Sequence, residues 1–225
     1  MKTFVISLGG SLIVPDKIDV RFIKRFCSLV INHVEKGKRF VIVCGGGKTS
    51  RIYQNCAKKI SNPSFKELDE LGILTTKLNA YLIKTAFSEY ASRNILDDPR
   101  KTIRFDKRVV LACGWKPGFS TDYDAVVIAK NLKTGLVINL TNVDYVYDKN
   151  PLKYRDARPI KKVSWDDMLN ITGKQWKPGL HVPFDPKALK LAAKHKIRIV
   201  ITNRRKIKNL DNLLNGKSFV GTVIG

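Results

Sequence analysis

Residues 5–15 read VISLGGSLIVP. An apolar run from Phe4 to Ile6 reaches Leu8, then Gly9, Gly10 and Ser11, and apolar residues resume at Leu12. A buried strand that ends in two glycines gives up packing there. The spacing predicts that something approaches the backbone closely, since glycine has no Cβ to block it. The pattern recurs at residues 40–47, where the apolar run Phe40 to Val43 leads to Gly45-Gly46-Gly47. At a strand-to-helix junction the free N–H groups and the helix dipole favour an anion. Two such loops predict two phosphate cradles, one for a donor and one for an acceptor. A tight turn explains a single glycine pair equally well, and neither GxxxxGK[ST] nor GxGxxG occurs.

Outward from these loops, helix and strand patterns alternate. Residues 19–36 read as a helix capped by Asp19 and stopped by Gly37. After the second glycine loop a helical stretch runs to about Ile60, and Ser64 with Glu67 forms a capping box for a long helix. Val109–Ala112, Leu136–Leu140 and Ile197–Ile201 read as apolar strands, and Phe219–Ile224 as a last strand. Helices are predicted from about Asp122 to Leu132, from a start at Ser164–Asp167, from Pro186 to His195 and near Ile207–Leu214. Residues 95–108 are polar and read as a surface excursion or edge hairpin. Strands apolar throughout imply a buried, largely parallel sheet with helices on both faces. Ligands of such sheets bind at the carboxyl ends of the strands, where the loops LGGS, CGGGK, CGWKPGFSTD and LTNVD all fall.

Composition narrows the function classes. The 225 residues include 44% hydrophobic ones, enough for a substantial core. No apolar run approaches the ~20 residues of a membrane span, and the N-terminus shows no signal-peptide pattern; the expectation is a cytoplasmic protein. Cys27, Cys44, Cys56 and Cys113 form no CxxC pair and read as free thiols, and His33, His181 and His195 lack metal-ligand spacing. The net charge of +23 suits polyanionic or phosphorylated partners, but the lysines are spread along the chain and a solvated basic surface explains them as well. No recognised nucleic-acid motif is visible, so a nucleic-acid partner is not expected.

The strings LGGSLIVP, VCGGGKTSR, DELGILTTKLNAYLI, CGWKPGFSTDYDAVVIA, LTNVDYVYDKNP and FDPKALKLAAKHKIRIVI occur in the order and spacing of the amino acid kinase superfamily. Within it the chain resembles the archaeal type of uridylate (UMP) kinases over essentially its whole length; DELG, LTNVD-x-VY and the PGFSTD loop carry the narrower likeness. The resemblance implies a three-layer αβα sandwich with a mostly parallel central sheet. It implies a single domain, 1–225, with the acceptor site mainly in the N-terminal part and the donor site mainly in the C-terminal part. It also implies transfer of the γ-phosphate of ATP, with Mg²⁺, to UMP, and assembly as a hexamer.

Residue by residue, Gly9, Gly10 and Ser11 match the loop that cradles donor phosphates. Gly45, Gly46 and Gly47 match the loop facing the transferring and acceptor phosphates. Arg51 matches an arginine that grips the UMP phosphate, as a guanidinium fork suits a phosphate. Asp69 matches the acidic residue that bonds the ribose hydroxyls, with Gly72 on the same helix allowing close approach. Gly114, Gly118 and Phe119 shape the nucleobase loop, and Thr121 and Asp122 follow it. Thr141, Asn142, Asp144, Tyr147 and Asn150 match the donor-nucleotide site. Gly10, Gly46, Asp122 and Lys187 are the expected catalytic set; no resident protein metal site is expected.

The chain departs from that pattern at several places. Ser7 stands where many members carry a phosphate-site lysine, leaving Lys48, Lys116 and Lys187 as candidates to replace it. Tyr145 replaces a glycine, which predicts either strain at a positive φ or a different loop. Asn150 stands where an aspartate often contacts the donor ribose. Asp124 stands where an apolar residue is usual, as an extra site carboxylate or an exposed one. WKPG occurs at 115–118 and 176–179, which suggests two turns presenting Lys116 and Lys177 to phosphates beneath tryptophan lids. Three alternatives stay open: another phosphorylated acceptor, a non-catalytic nucleotide-binding or storage protein on this fold, and a nucleic-acid-binding module. The absence of a histidine in GGGKTSRIY and the presence of DELG favour a nucleotide acceptor.

Overall fold

The computed structural model describes residues 1–149, 151, 153–173, 183–203 and 207–225. Asn150 and the second WKPG turn, with Lys177, lie outside the described residues. In chain order the strands are β1 (Thr3–Leu8), β2 (Arg39–Cys44), β3 (Val109–Ala112), β4 (Leu136–Thr141), β5 (Val146–Tyr147), β6 (Pro159–Ile160), β7 (Lys162–Val163), β8 (Arg198–Asn203) and β9 (Thr222–Ile224). The helices are α1 (Gly10–Ile13), α2 (Val20–Glu35), α3 (Gly47–Ile60), α4 (Phe65–Phe87), α5 (Thr121–Asn131), α6 (Trp165–Thr172), α7 (Pro186–Lys194) and α8 (Ile207–Leu214).

A seven-stranded sheet runs in the order β3-β2-β1-β4-β8-β9-β7. Strands β3 to β8 of that order pair in parallel, and β9 turns back antiparallel to β8. Side chains alternate between two cores. Phe4, Ile6, Leu8, Phe40 and Ile42 pack with Phe26 of α2, Ile83 of α4 and Leu210 of α8. Val5, Val41, Val43 and Val137 pack on the opposite face with Ile128 of α5, Met168 of α6 and Leu189 of α7. The sandwich is thus three-layered and mostly parallel. Phe26 and Phe87, both fully buried, meet edge to face at 6.3 Å. Truncating a core phenylalanine of this kind costs about 3–5 kcal/mol.

Helix starts follow the capping residues. Asp19 accepts from the N–H of Phe22 at 2.9 Å. Ser64 and Glu67 complete both bonds of a capping box. Asp185 accepts from the N–H of Lys187, with Pro186 in the first turn. Gly37 takes φ +82 after α2, the left-handed stop expected of it.

Two open alternatives close. Residues 95–108 form no hairpin: the preceding stretch lies parallel to β3, with Ala91 opposite Val109 and Leu96 opposite Ala112. Bonds from Ser92 N–H to Val109 O (2.7 Å) and from Leu96 N–H to Leu111 O (2.9 Å) cover the sheet edge there, and the polar residues then loop away. Tyr145 does not enter the left-handed region, so its loop differs from a glycine-bearing one and carries no strain at that position.

Candidate active site

The glycines after β1 and β2 serve each other. A Cβ on Gly10 would stand 2.0 Å from the nitrogen of Gly47 and 2.5 Å from the carbonyl carbon of Gly45. A Cβ on Gly47, which also takes φ +67, would stand 2.3 Å from the oxygen of Gly10. Real Cβ contacts are never this short, so the close approach read from residues 5–15 is first of all backbone on backbone. Strand register sets it up, because Leu8 pairs with Cys44. Gly45 N–H then donates to Leu8 O at 3.0 Å, and Gly9 N–H to Leu140 O at 3.1 Å. Thr141, one residue beyond Leu140, therefore adjoins the first loop.

Helix α4 carries most of the scaffold. Asn79, buried, donates to the carbonyls of Gly45 (2.7 Å) and Gly46 (3.1 Å). Thr76 Oγ1 accepts from Gly114 N–H at 2.8 Å. Asp69 Oδ2 accepts from Gly118 N–H at 2.7 Å. Gly118 takes φ +89 with open space around it, so its conformation, not crowding, calls for glycine. A Cβ on Gly72 would stand 3.2 Å from Gln54 Nε2, so Gly72 lets α3 and α4 pack closely. Sequence reasoning missed Thr76 and Asn79. Their signal was polar side chains on a helix face that otherwise turns inward.

Three carboxyls gather beside the loop at residues 114–120. Ser7 faces the α5 layer, and its hydroxyl donates to Asp122 Oδ1 at 2.8 Å. Asn139, the register partner of Ser7 on β4, donates to the same oxygen at 3.1 Å. Asp122 as a residue is half-buried, but its carboxyl lies inside, and burial pushes it up to about 7. Asp185, which sequence reasoning left out, is buried and accepts from the Ser120 hydroxyl; burial raises it. Its sequence signal was an N-cap ahead of Pro186. Asp124 is neither exposed nor open to phosphate: it is 1% exposed, and Oδ2 accepts from Trp115 N–H at 3.1 Å. Asp69, raised by burial, is drawn down by the Gly118 N–H and by Lys187.

The three candidate lysines part company. Lys48 pairs with Asp16 at 3.4 Å on the surface. Lys116 lies over Trp115 at 4.1 Å from the ring centre. Lys187 donates to the carbonyl of Gly118 at 2.9 Å. The two peptide groups flanking the Gly118 Cα are thus held, one by Asp69 on α4 and the other by Lys187 on α7. Trp115, Phe119 and Tyr123 pack in series with their rings tilted, centroids 5.1 and 4.7 Å apart. Arg51 is exposed on α3 with no ion-pair or hydrogen-bond partner among the described residues. Ser11 and Thr121 sit at the first turns of α1 and α5. On the other side, Asn142 O accepts from Asn203 at 3.2 Å. Asp144 is exposed and Tyr147 half-buried in the β5–β6 pair.

The family model for the amino acid kinase family matches residues 2–203. The chain belongs to the amino acid kinase family. Among curated relatives, a uridylate kinase of Thermoplasma volcanium is 35% identical, over 99% of this chain and 97% of its own. A uridylate kinase of Pyrococcus abyssi is 34% identical over 95% of each. The crystal structure of uridylate kinase from Archaeoglobus fulgidus superposes with a TM-score of 0.83, at 30% identity and full coverage of both chains. UMP kinase from Bacillus anthracis shares the fold at a TM-score of 0.77 and 20% identity, over 100% of this chain and 96% of its own. Within this family fold, the paired glycine loops and the loop at 114–120 share one end of the sheet.

Proposed function

We propose that the chain transfers the γ-phosphoryl group of ATP to UMP, giving UDP and ADP. The observation that carries this reading is the joining of Asp69 to Gly118 beside the two interlocked glycine loops, in a chain whose relatives are uridylate kinases. An acidic group at the edge of a phosphate site suits ribose hydroxyls, and the half-buried setting of Asp69 strengthens its bonds. The relatives do not favour a storage protein or another acceptor.

In this reading Gly9, Gly10 and Ser11 hold the donor phosphates. Gly45, Gly46, Gly47 and Arg51 hold the acceptor phosphate, and Gly10 with Gly46 meets the transferring group. Asp69, Gly72, Gly114, Gly118, Phe119 and Thr121 enclose the nucleoside of UMP. Thr141, Asn142, Asp144, Tyr147 and Asn150 take the donor nucleotide. Lys187 holds the acceptor loop through Gly118 O, and Asp122 is oriented by Ser7 and Asn139. An acceptor oxygen attacks the γ-phosphorus as the bond to the β-phosphate bridging oxygen breaks. Such a transfer is governed by positioning and charge neutralisation. Mg²⁺ neutralises triphosphate charge when bound. Among the described residues no group of three or more His, Cys, Asp or Glu could hold a metal ion.

The same reading takes residues 1–225 as one domain in the cytoplasm, serving pyrimidine nucleotide synthesis. Among the described residues no helix is long and apolar enough to cross a membrane. It also takes the chain as an oligomer, a hexamer by family. Leu74, Leu78 and Tyr81 form an i, i+4, i+7 stripe on α4, each at least half exposed. Beside them α3, which buries no residue of its own, exposes Ile52 and Tyr53. An apolar face of this kind suits a second copy of the chain. The test is ADP release from MgATP with UMP, CMP, dUMP, AMP and isopentenyl phosphate in parallel. Turnover with UMP is expected; turnover confined to another acceptor, or none, contradicts the proposal.

A further inference from the structure

Residues Asp124 to Ala129 of α5 are all buried, and Asp124 is the one polar side chain among them. The charged groups facing it are Asp122 on the same helix, Asp98 in the turn beside Arg100, and Asp185 at the start of α7, all carboxylates. Burial above all, with these neighbours, holds its carboxyl up at about 8, against the pull of the Trp115 N–H. Oδ1 has no hydrogen-bond partner among the described residues. A carboxyl among apolar side chains and like charges is a standing cost to the fold. What it supplies is one bond, from Trp115 N–H to Oδ2 at 3.1 Å.

That bond completes a set of three. Side chains hold the loop at residues 114–120 by three of its backbone N–H groups: Thr76 at Gly114, Asp124 at Trp115 and Asp69 at Gly118. Thr76 and Asp69 come from α4 and Asp124 from α5, whose first turn is also capped by Ser120 at the end of the loop, through the Tyr123 N–H. The ring of the same residue carries the Arg100 guanidinium at 4.4 Å and the Lys116 ammonium at 4.1 Å. We propose that Asp124 is a positioning residue for the acceptor: it sets the loop through the Trp115 backbone, and thereby the affinity for the nucleoside monophosphate. This rests on the reading of that loop as the acceptor loop.

The test compares Asp124→Asn, which keeps a neutral acceptor of the same shape, with Asp124→Val, which removes it. Losing one buried hydrogen bond corresponds to about a ten-fold effect, so Asp124→Val is expected to raise KM for UMP about ten-fold. KM for ATP and kcat stay near wild type. Asp124→Asn restores the wild-type KM, and hydrogen exchange of the 113–119 segment quickens in Asp124→Val alone. If valine does not fold, Asp124→Ala takes its place. Equal KM for UMP and equal exchange in the two variants overturn the proposal. A rise in KM for ATP instead of UMP overturns the assignment of the loop to the acceptor. If the wild type makes no UDP, the reading of the function fails, and the exchange difference alone decides whether Asp124 holds the loop.

Discussion

The carboxylate of Asp69 on α4 accepts a hydrogen bond from the backbone N–H of Gly118, 49 residues on in the chain, at 2.7 Å. One oxygen is committed to the loop; in the proposed reading the other takes a ribose hydroxyl of UMP. Asp69→Asn keeps an acceptor for Gly118 but loses the charge; Asp69→Ala loses both. Steady-state kinetics should show KM for UMP raised about ten-fold in the first and about a hundred-fold in the second. Equal effects would mean that the Gly118 bond contributes nothing.

Gly10 leaves no space for a side chain, since a Cβ would reach 2.0 Å from the Gly47 nitrogen. Gly10→Ala must push the two glycine loops apart. Misplacement of reacting groups by about 1 Å costs on the order of a hundred-fold in rate, and kcat should fall by at least that much while the far-ultraviolet circular dichroism is kept. A variant with wild-type kcat would show that the loop contact does not position the phosphates.

His33 is buried between α2 and α8. Its Nδ1 accepts from the Lys38 ammonium at 2.9 Å, and its Nε2–H donates to Asp211 at 2.8 Å. Burial, first of all, lowers its pKa from the ordinary 6.5. The neutral ring therefore contributes stability that is present above 6.5 and is lost as pH falls through the folded-state value. Asp122 and Asp124, raised by burial, favour the fold as pH falls, so only comparison with a variant isolates the histidine. The gap in Tm between wild type and His33→Gln should narrow from about pH 7.5 to about pH 5. A constant gap would mean that His33 does not titrate in this way.

Leu78 is 62% exposed at the middle of the apolar stripe on α4. Placing a charge there should turn an oligomer into monomers, because an interface core excludes unpaired charge. Light scattering on Leu78→Glu beside the wild type checks this. An unchanged mass would move the interface elsewhere.

The fold was readable where local chemistry decides it. Asp19, Ser64 with Glu67, and Pro186 each mark a helix start within one residue of its place, since caps act over three or four residues. The apolar runs at β1, β2, β4 and β8 read as parallel strands because both of their faces are buried. The site was readable as a set of loops at the strand ends, but not in its internal bonds. That Gly10 meets Gly47, or that Asp124 reaches Trp115, depends on strand register and helix placement, which no local pattern encodes. Asp124 reads as an extra site carboxylate or an exposed one because an aspartate is seldom buried without a partner. Residues 95–108 read as a surface excursion or edge hairpin, because polar composition does not tell the two apart or reveal the parallel edge bridges at Ala91 and Leu96.

The most direct measurement is the initial rate of UDP formation from MgATP and UMP by the wild type, with Arg51→Ala and Asp69→Ala beside it. The account predicts turnover by the wild type, and KM for UMP raised at least about ten-fold in both variants, with KM for ATP unchanged. A wild type that forms no UDP, or variants indistinguishable from it, would contradict the account.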